Sequence, residues 1–138
     1  MIRAPLVIAE ARRWIGTPYQ HQARCLGAGV DCAGLVIGVG HALGLLDVDY
    51  RDYGQLPHQG LLRRLCDQHL QRLDAAEPGC ILLMGWVAEP GQEQHLGILT
   101  DADTLVHAYA QAGGCVEHRY SSAWQARTRQ CYRYVGVV

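Results

Sequence analysis

The hydrophobic pattern divides the chain into a helical first half and a stranded second half. From Pro5 to Ile15, Leu6, Ile8, Ala9, Ala11 and Ile15 alternate with Glu10, Arg12 and Arg13. This predicts a helix with one apolar and one charged face, entered through a proline and ended by Gly16-Thr17-Pro18. Tyr19 to Gly29 is polar and reads as a loop, of the length at which loops tend to be functional. Cys32 to Leu46 is a nearly unbroken apolar run in which His41 is the strongly polar side chain. Pattern alone leaves its state open. Leu35-Val36-Ile37-Gly38-Val39 suits a buried strand and the glycines weaken a helix, whereas the length favours a helix of about thirteen residues ending near Gly44. Residues 47–59 read as an irregular connector, and Leu61 to Leu73 returns to helical spacing.

After Pro78-Gly79 the character changes. Cys80 to Met84 is a compact apolar strand and Glu89 to Glu93 a loop. His95–Thr100, Leu105–Ala110, Cys115–Arg119 and Tyr132–Val138 then read as short strands between turn residues. Helices first and strands afterwards predict an α+β domain with a mainly antiparallel sheet. A length of 138 residues fits one domain covering residues 1–138.

Composition narrows the class. Hydrophobic residues at 49% and charged residues at 18% describe a globular chain, and a net charge of -1 gives no electrostatic reason to expect nucleic acid or an anionic membrane. No apolar run is long enough for a membrane span, and Glu10, Arg12 and Arg13 interrupt the N-terminus before a signal-peptide core could form. The chain is therefore expected to be soluble and made in the cytoplasm without a signal peptide. The six cysteines are widely spaced, which disfavours a disulfide framework.

Three residues point to chemistry. If the apolar run is a helix, Cys32 sits at its N-terminus, where unpaired N–H groups and the macrodipole are expected to lower a thiol pKa. Asp31 is placed to cap that helix, with the amides beyond it facing a reacting carbonyl. A cysteine nucleophile needs a base, and the base needs an orienting group. His95 and His107 lie in the two strands of one hairpin. With Thr100 opposite Thr104, both point to one face, His107 opposite Gly97 and diagonal to His95. Other features weigh less. Cys66-x-x-His69 and Cys115-x-x-His118 have a zinc-like spacing, but on a strand residues three apart face opposite ways, and no metal or other cofactor is expected. His21, His41 and His58 read as structural, and Trp14 and Trp86 as core or cleft wall.

Five segments in order, Trp14-Ile15-Gly16-Thr17-Pro18-Tyr19, Asp31-Cys32-Ala33-Gly34-Leu35-Val36, Pro78-Gly79, His95-Leu96-Gly97-Ile98 and Val106-His107-Ala108, resemble the motifs of the NlpC-type cell-wall cysteine peptidases. Trp124 and the tyrosine-rich final strand are similar to the family's phage-tail branch. The resemblance implies a minimal papain-like fold, with N-terminal helices on a sheet of about five to six strands, and so resolves the apolar run as a helix. It implies Cys32 as nucleophile, His95 as general base, His107 as orienting group and Tyr19 as support for the oxyanion or substrate. The implied activity is a cysteine endopeptidase acting on peptidoglycan stem peptides, at the bond from the D-glutamate γ-carboxyl to the diamino acid. Phage tail-tip proteins are the implied partners and the virion the implied setting. Alternatives are a tail-assembly component that hydrolyses little, and an amidase or acyltransferase on the same triad. Ala33 stands where the family usually has serine, and Cys80 where it usually has aspartate.

Overall fold

The computed structural model describes residues 2–54 and 59–138. In chain order the elements are α1 (Ala4–Arg13), β1 (Arg24–Cys25), β2 (Gly29–Val30), α2 (Cys32–Ala42), α3 (Leu61–His69), β3 (Leu70–Leu73), β4 (Ile81–Met84), β5 (His95–Asp101), β6 (Thr104–Tyr109), β7 (Gly114–Arg119), α4 (Ser122–Arg127) and β8 (Thr128–Tyr134). Strands β3 to β8 form a six-stranded sheet in the order β3-β8-β4-β5-β6-β7, with every pairing antiparallel. The α+β reading and the strand number expected from sequence hold.

The apolar run is the helix α2, buried from Ala33 to Gly40. Its glycines mark close approaches. A Cβ on Gly38 would lie 2.4 Å from the Trp14 ring, and one on Gly40 would lie 2.7 Å from Leu46. The helical propensity lost at these positions is offset by packing that any larger residue would block. Gly34 is the tightest: its Cβ would stand 2.0 Å from the Ala23 carbonyl oxygen and 2.9 Å from Asp31 Oδ1. Gly34→Ala is therefore expected to cost about 1–3 kcal/mol or more and to displace the loop that carries Asp31. A lowered urea midpoint at unchanged slope would show it.

Two cores flank the sheet. Val7, Ala11 and Trp14 of the N-terminal segment and Leu35, Val36 and Val39 of α2 pack with Ile81, Leu83, Ile98, Val106 and Tyr132 on one side. Cys80, Leu82, Met84, Leu99, Leu105 and Tyr120 fill the other, with Trp124 and Cys131 against them. Cys80 thus lies within an apolar layer with Cys131 packed against it, its amide donating to the Glu77 carbonyl and its carbonyl accepting from the Leu99 amide.

Three sequence expectations are corrected. The helix expected over Leu61–Leu73 ends at His69, and Leu70–Leu73 is strand β3. Leu70 pairs with Tyr134 and Leu73 with Cys131, so the open edge of β8 takes these residues out of a helix that their spacing alone would continue. The final strand begins at Thr128 and ends at Tyr134, earlier than the expected Tyr132–Val138. The expected loop over Tyr19–Gly29 contains β1, which pairs with β2. Residues 55–58 of the expected connector, including His58, lie outside the described residues. His41 is structural, its Nε2–H donating to the Val48 carbonyl at 2.7 Å.

Candidate active site

The first turn of α2 is built around Asp31. Its carboxylate is buried, with Oδ1 accepting from the Gly34 amide at 2.7 Å, which is the N-cap bond expected from sequence. Oδ2 accepts from the Gln22 amide and from the Tyr53 hydroxyl, each at 2.7 Å. Gln22 takes φ +64° to aim its amide there, a left-handed conformation uncommon outside glycine. Tyr53 in turn accepts from Arg24 at 2.7 Å, and Arg24 pairs with Asp49 at 2.9 Å. A chain of polar contacts from the connector therefore fixes the residue immediately before Cys32.

The backbone amides of Leu96, Ala33 and Cys32 itself act on the Cys32 thiol to lower its pKa. Leu96, one residue beyond His95 at the start of β5, lines the same cleft as Cys32 at the start of α2. The three amides favour the thiolate, but burial and the Asp31 charge act the other way and prevail, pushing the thiol up to about 12. The lowered pKa expected from the helix N-terminus is thus overturned by desolvation. Tyr19 lines the same cleft as Cys32 and Asp31, and burial, with the charges of Cys32 and Asp31, moves its phenol up to about 12.

The hairpin register is the one read from sequence through its body: Ile98 pairs with Val106 and Leu99 with Leu105. It shifts by one residue at the tip, where Asp101 pairs with Thr104 and Thr100 Oγ1 meets Thr104 Oγ1 at 2.8 Å. Continued inward, it sets Gly97 opposite His107, and a Cβ on Gly97 would lie 3.4 Å from His107 Cβ. His95 Nε2 and His107 Nδ1 are 2.7 Å apart. Both rings are buried, and burial holds them neutral, His95 down to about 3 and His107 to about 2. For His95 the nearby Arg127 cation adds to the effect. At rest Cys32 is therefore a neutral thiol and His95 a neutral imidazole.

Four further groups belong to this region: Trp86, read from sequence as core or cleft wall, Trp124, read as a mark of the resemblance, and Arg127 and Glu93, which the sequence reading did not single out. Trp86, half-exposed, stacks on His95 with ring centroids 5.6 Å apart, and Trp124 meets His107 edge-on at 4.8 Å. Arg127 lies 4.7 Å from the Trp86 ring and 4.5 Å from the Trp124 ring, a cation–π arrangement beside the histidines. Beside Cys32 is an apolar pocket of about 120 Å³ lined by Tyr19, Leu61, Leu65 and Glu93, among others. Glu93 is 3% exposed. Its Oε2 is 3.3 Å from Arg63, while its Oε1 has no hydrogen-bond partner among the described residues. The position of Glu93 two residues before His95 is the signal that could have found it, since both flank one strand start.

No protein-family model and no curated protein sequence matches the chain. Solved structures do. The NlpC/p60 domain of the peptidoglycan hydrolase SagA matches with TM-score 0.65 and 21% identity, over 95% of this chain and 98% of that one. The chain has the NlpC/P60 fold. A Staphylococcus aureus protein described as similar to lipoprotein, of the NLP/P60 family, matches with TM-score 0.68 and 18% identity, over 96% of this chain. NlpC1 of Trichomonas vaginalis matches with TM-score 0.73 and 17% identity, over 95% of this chain. The chain spans 41% and 44% of those two proteins, so in them the NlpC/P60 fold is one part of a longer chain. Among the described residues no helix is long and apolar enough to cross a membrane.

Proposed function

We propose that the protein is a cysteine peptidase of the NlpC/P60 family that hydrolyses an amide bond in peptidoglycan stem peptides. The single observation that carries this reading is the His95–His107 bond at the start of the strand whose next residue, Leu96, lines the cleft with Cys32. SagA, which shares the fold along its whole domain, is itself a peptidoglycan hydrolase, and this supports the substrate class. The motif resemblance supports the D-γ-glutamyl–diamino acid bond. Trp124 and the tyrosine-rich strand support a phage or prophage tail as the setting, with tail-tip proteins as partners.

In the proposed reaction the Cys32 thiol loses its proton to His95 as the sulfur attacks the scissile carbonyl, so charge appears only with substrate in place. The amides at the start of α2, with Tyr19, face the developing oxyanion. His95 returns the proton to the leaving amine, and water then releases the thioester. His107 holds the His95 ring through Nε2. The unpaired oxygen of Glu93 offers an acceptor for a substrate N–H inside the apolar pocket, since a buried acceptor without a partner is costly until a ligand satisfies it. Glu93→Gln is expected to raise KM about 10-fold or more with little change in kcat, as uniform binding is lost. Steady-state kinetics on a stem peptide would measure it.

The test of the activity is mass spectrometry of purified muropeptides incubated with the protein. The expected products are a fragment ending in D-glutamate and one with a free diamino acid. Intact muropeptides after prolonged incubation would refute the hydrolase reading.

A further inference from the structure

Beyond His107 the hydrogen-bonded chain continues. His107 Nε2 lies 2.8 Å from His118 Nε2, and His118 Nδ1 lies 2.9 Å from the Arg119 carbonyl oxygen. We infer that His118 is a fourth, positioning member of the site, which sets the tautomer of His95 through His107. This rests on the proposed role of His95 as base.

The assignment follows from which atoms can donate. A carbonyl only accepts, so His118 Nδ1 carries a proton, and in the neutral ring Nε2 is then bare. A bare Nε2 must accept, so His107 carries its proton on Nε2 and leaves Nδ1 bare. His107 Nδ1 then accepts from His95 Nε2–H. The lone pair of His95 is left on Nδ1, the nitrogen a base needs free for the thiol. One main-chain carbonyl thus fixes three tautomers in series. When His95 takes the thiol proton, its Nε2–H bond to His107 becomes charge-assisted and shortens the reach of the positive charge into the relay. No ring other than His95 changes its proton count.

Protonation of His118 would reverse the series. With protons on both nitrogens, its Nε2–H points at His107 Nε2, which must accept. His107 then donates from Nδ1 to His95 Nε2, and His95 carries its proton on Nδ1, where it cannot accept the thiol proton. His118 is half-exposed whereas His107 is fully buried, so solvent protons meet the outer end first. The groups around His118 are the His107 ring from β6, the Trp124 ring of α4 at 5.3 Å, and Leu105 paired across the strand. Arg127, over that same Trp124 ring, is the nearby cation. Glu117, its neighbour in β7, is committed to Arg12 and Thr100.

Long-range proton–nitrogen NMR on the ¹⁵N-labelled resting protein reads the three tautomers directly. The expected pattern is Nδ1–H on His118 and Nε2–H on His107 and His95; Nδ1–H on resting His95 would overturn the inference. Kinetics supply a second arm. His118→Leu should lower kcat about 10-fold or more with KM within about twofold, because it removes the acceptor for His107. His118→Gln, which offers an oxygen near the Nε2 position as an acceptor for His107, should restore most of kcat. Wild-type kcat in His118→Leu, or no rescue in folded His118→Gln, would also overturn it. The NMR arm needs no turnover, so a protein that proved inactive would refute the hydrolase reading and leave the tautomer assignment to be decided on its own.

Discussion

Cys32→Ala is expected to abolish muropeptide hydrolysis, a loss on the order of 10⁴-fold or more, while the urea midpoint stays within about 1 kcal/mol of wild type. The activity loss is large because the attacking sulfur itself is removed; the stability change is small because Cys32 is half-buried and its removal leaves the Asp31 cap and the α2 packing in place. His95→Ala should fall nearly as far. His107→Ala should fall less, about 10²-fold, since an orienting group is lost while the base remains. A reversed order of the two histidines would contradict their roles. Retained hydrolysis in Cys32→Ala would dismiss Cys32 as nucleophile.

Acid should destabilise the protein steeply. Folded His95 and His107 stay neutral down to about 3 and 2, whereas an imidazole in the unfolded chain takes up a proton near 6.5. Between these values the unfolded state binds more protons than the folded one, so stability falls as pH drops below about 6.5 and is unaffected by these groups above it. Each histidine contributes about 1.4 kcal/mol per pH unit, and the pair about 2.7. Against a total of about 5–15 kcal/mol, a few units of acidification suffice to unfold a typical domain. Urea unfolding across this range measures the slope. His107→Gln keeps a hydrogen-bonding side chain that does not titrate and should remove about half of the histidine contribution. An unchanged slope in that variant would show that the buried rings are not the cause. Cys32 contributes with the opposite sense: its raised pKa means stability is lost as pH rises from about 9 toward 12.

The parts legible in the sequence are those set by local pattern. Alternation in residues 95–109 placed His95 and His107 on one face because strand periodicity is two, and the observed register differs from the expected one only at the Thr100–Asp101 tip. Asp31 read as a cap because the loop-to-apolar boundary falls directly after it. What the sequence obscured depends on the third dimension. Leu70–Leu73 has helical spacing, and only the open edge of β8 makes it a strand. The helix N-terminus at Cys32 suggested an acidic thiol, but burial depth and the Asp31 charge cannot be counted from a linear pattern. His118 looked like half of a weak zinc pair. Its ring nitrogens are instead occupied by His107 and the Arg119 carbonyl, a contact between β6 and β7 that spacing does not reveal. Trp124 and Arg127 reach the histidines only because α4 returns the chain across the sheet between β7 and β8.

Cys80 shows the same limit. In sequence it is a departure from a usual aspartate, with consequences for either stability or substrate. In the structure it lies in the apolar layer with Leu82, Met84 and Cys131, and Cys32 packs against the other core. The substitution therefore bears on packing of β4 and β8, in the layer against which Trp124 also packs.

The central claim, that Cys32 forms a covalent acyl intermediate with the stem peptide, is tested most directly by acid-quenching the protein during turnover and measuring its intact and peptide masses. The account predicts an adduct of the acyl fragment's mass on the peptide containing Cys32, absent in Cys32→Ala. Turnover without any adduct in either the wild type or a slowed His95 variant, or an adduct on another cysteine, would contradict it.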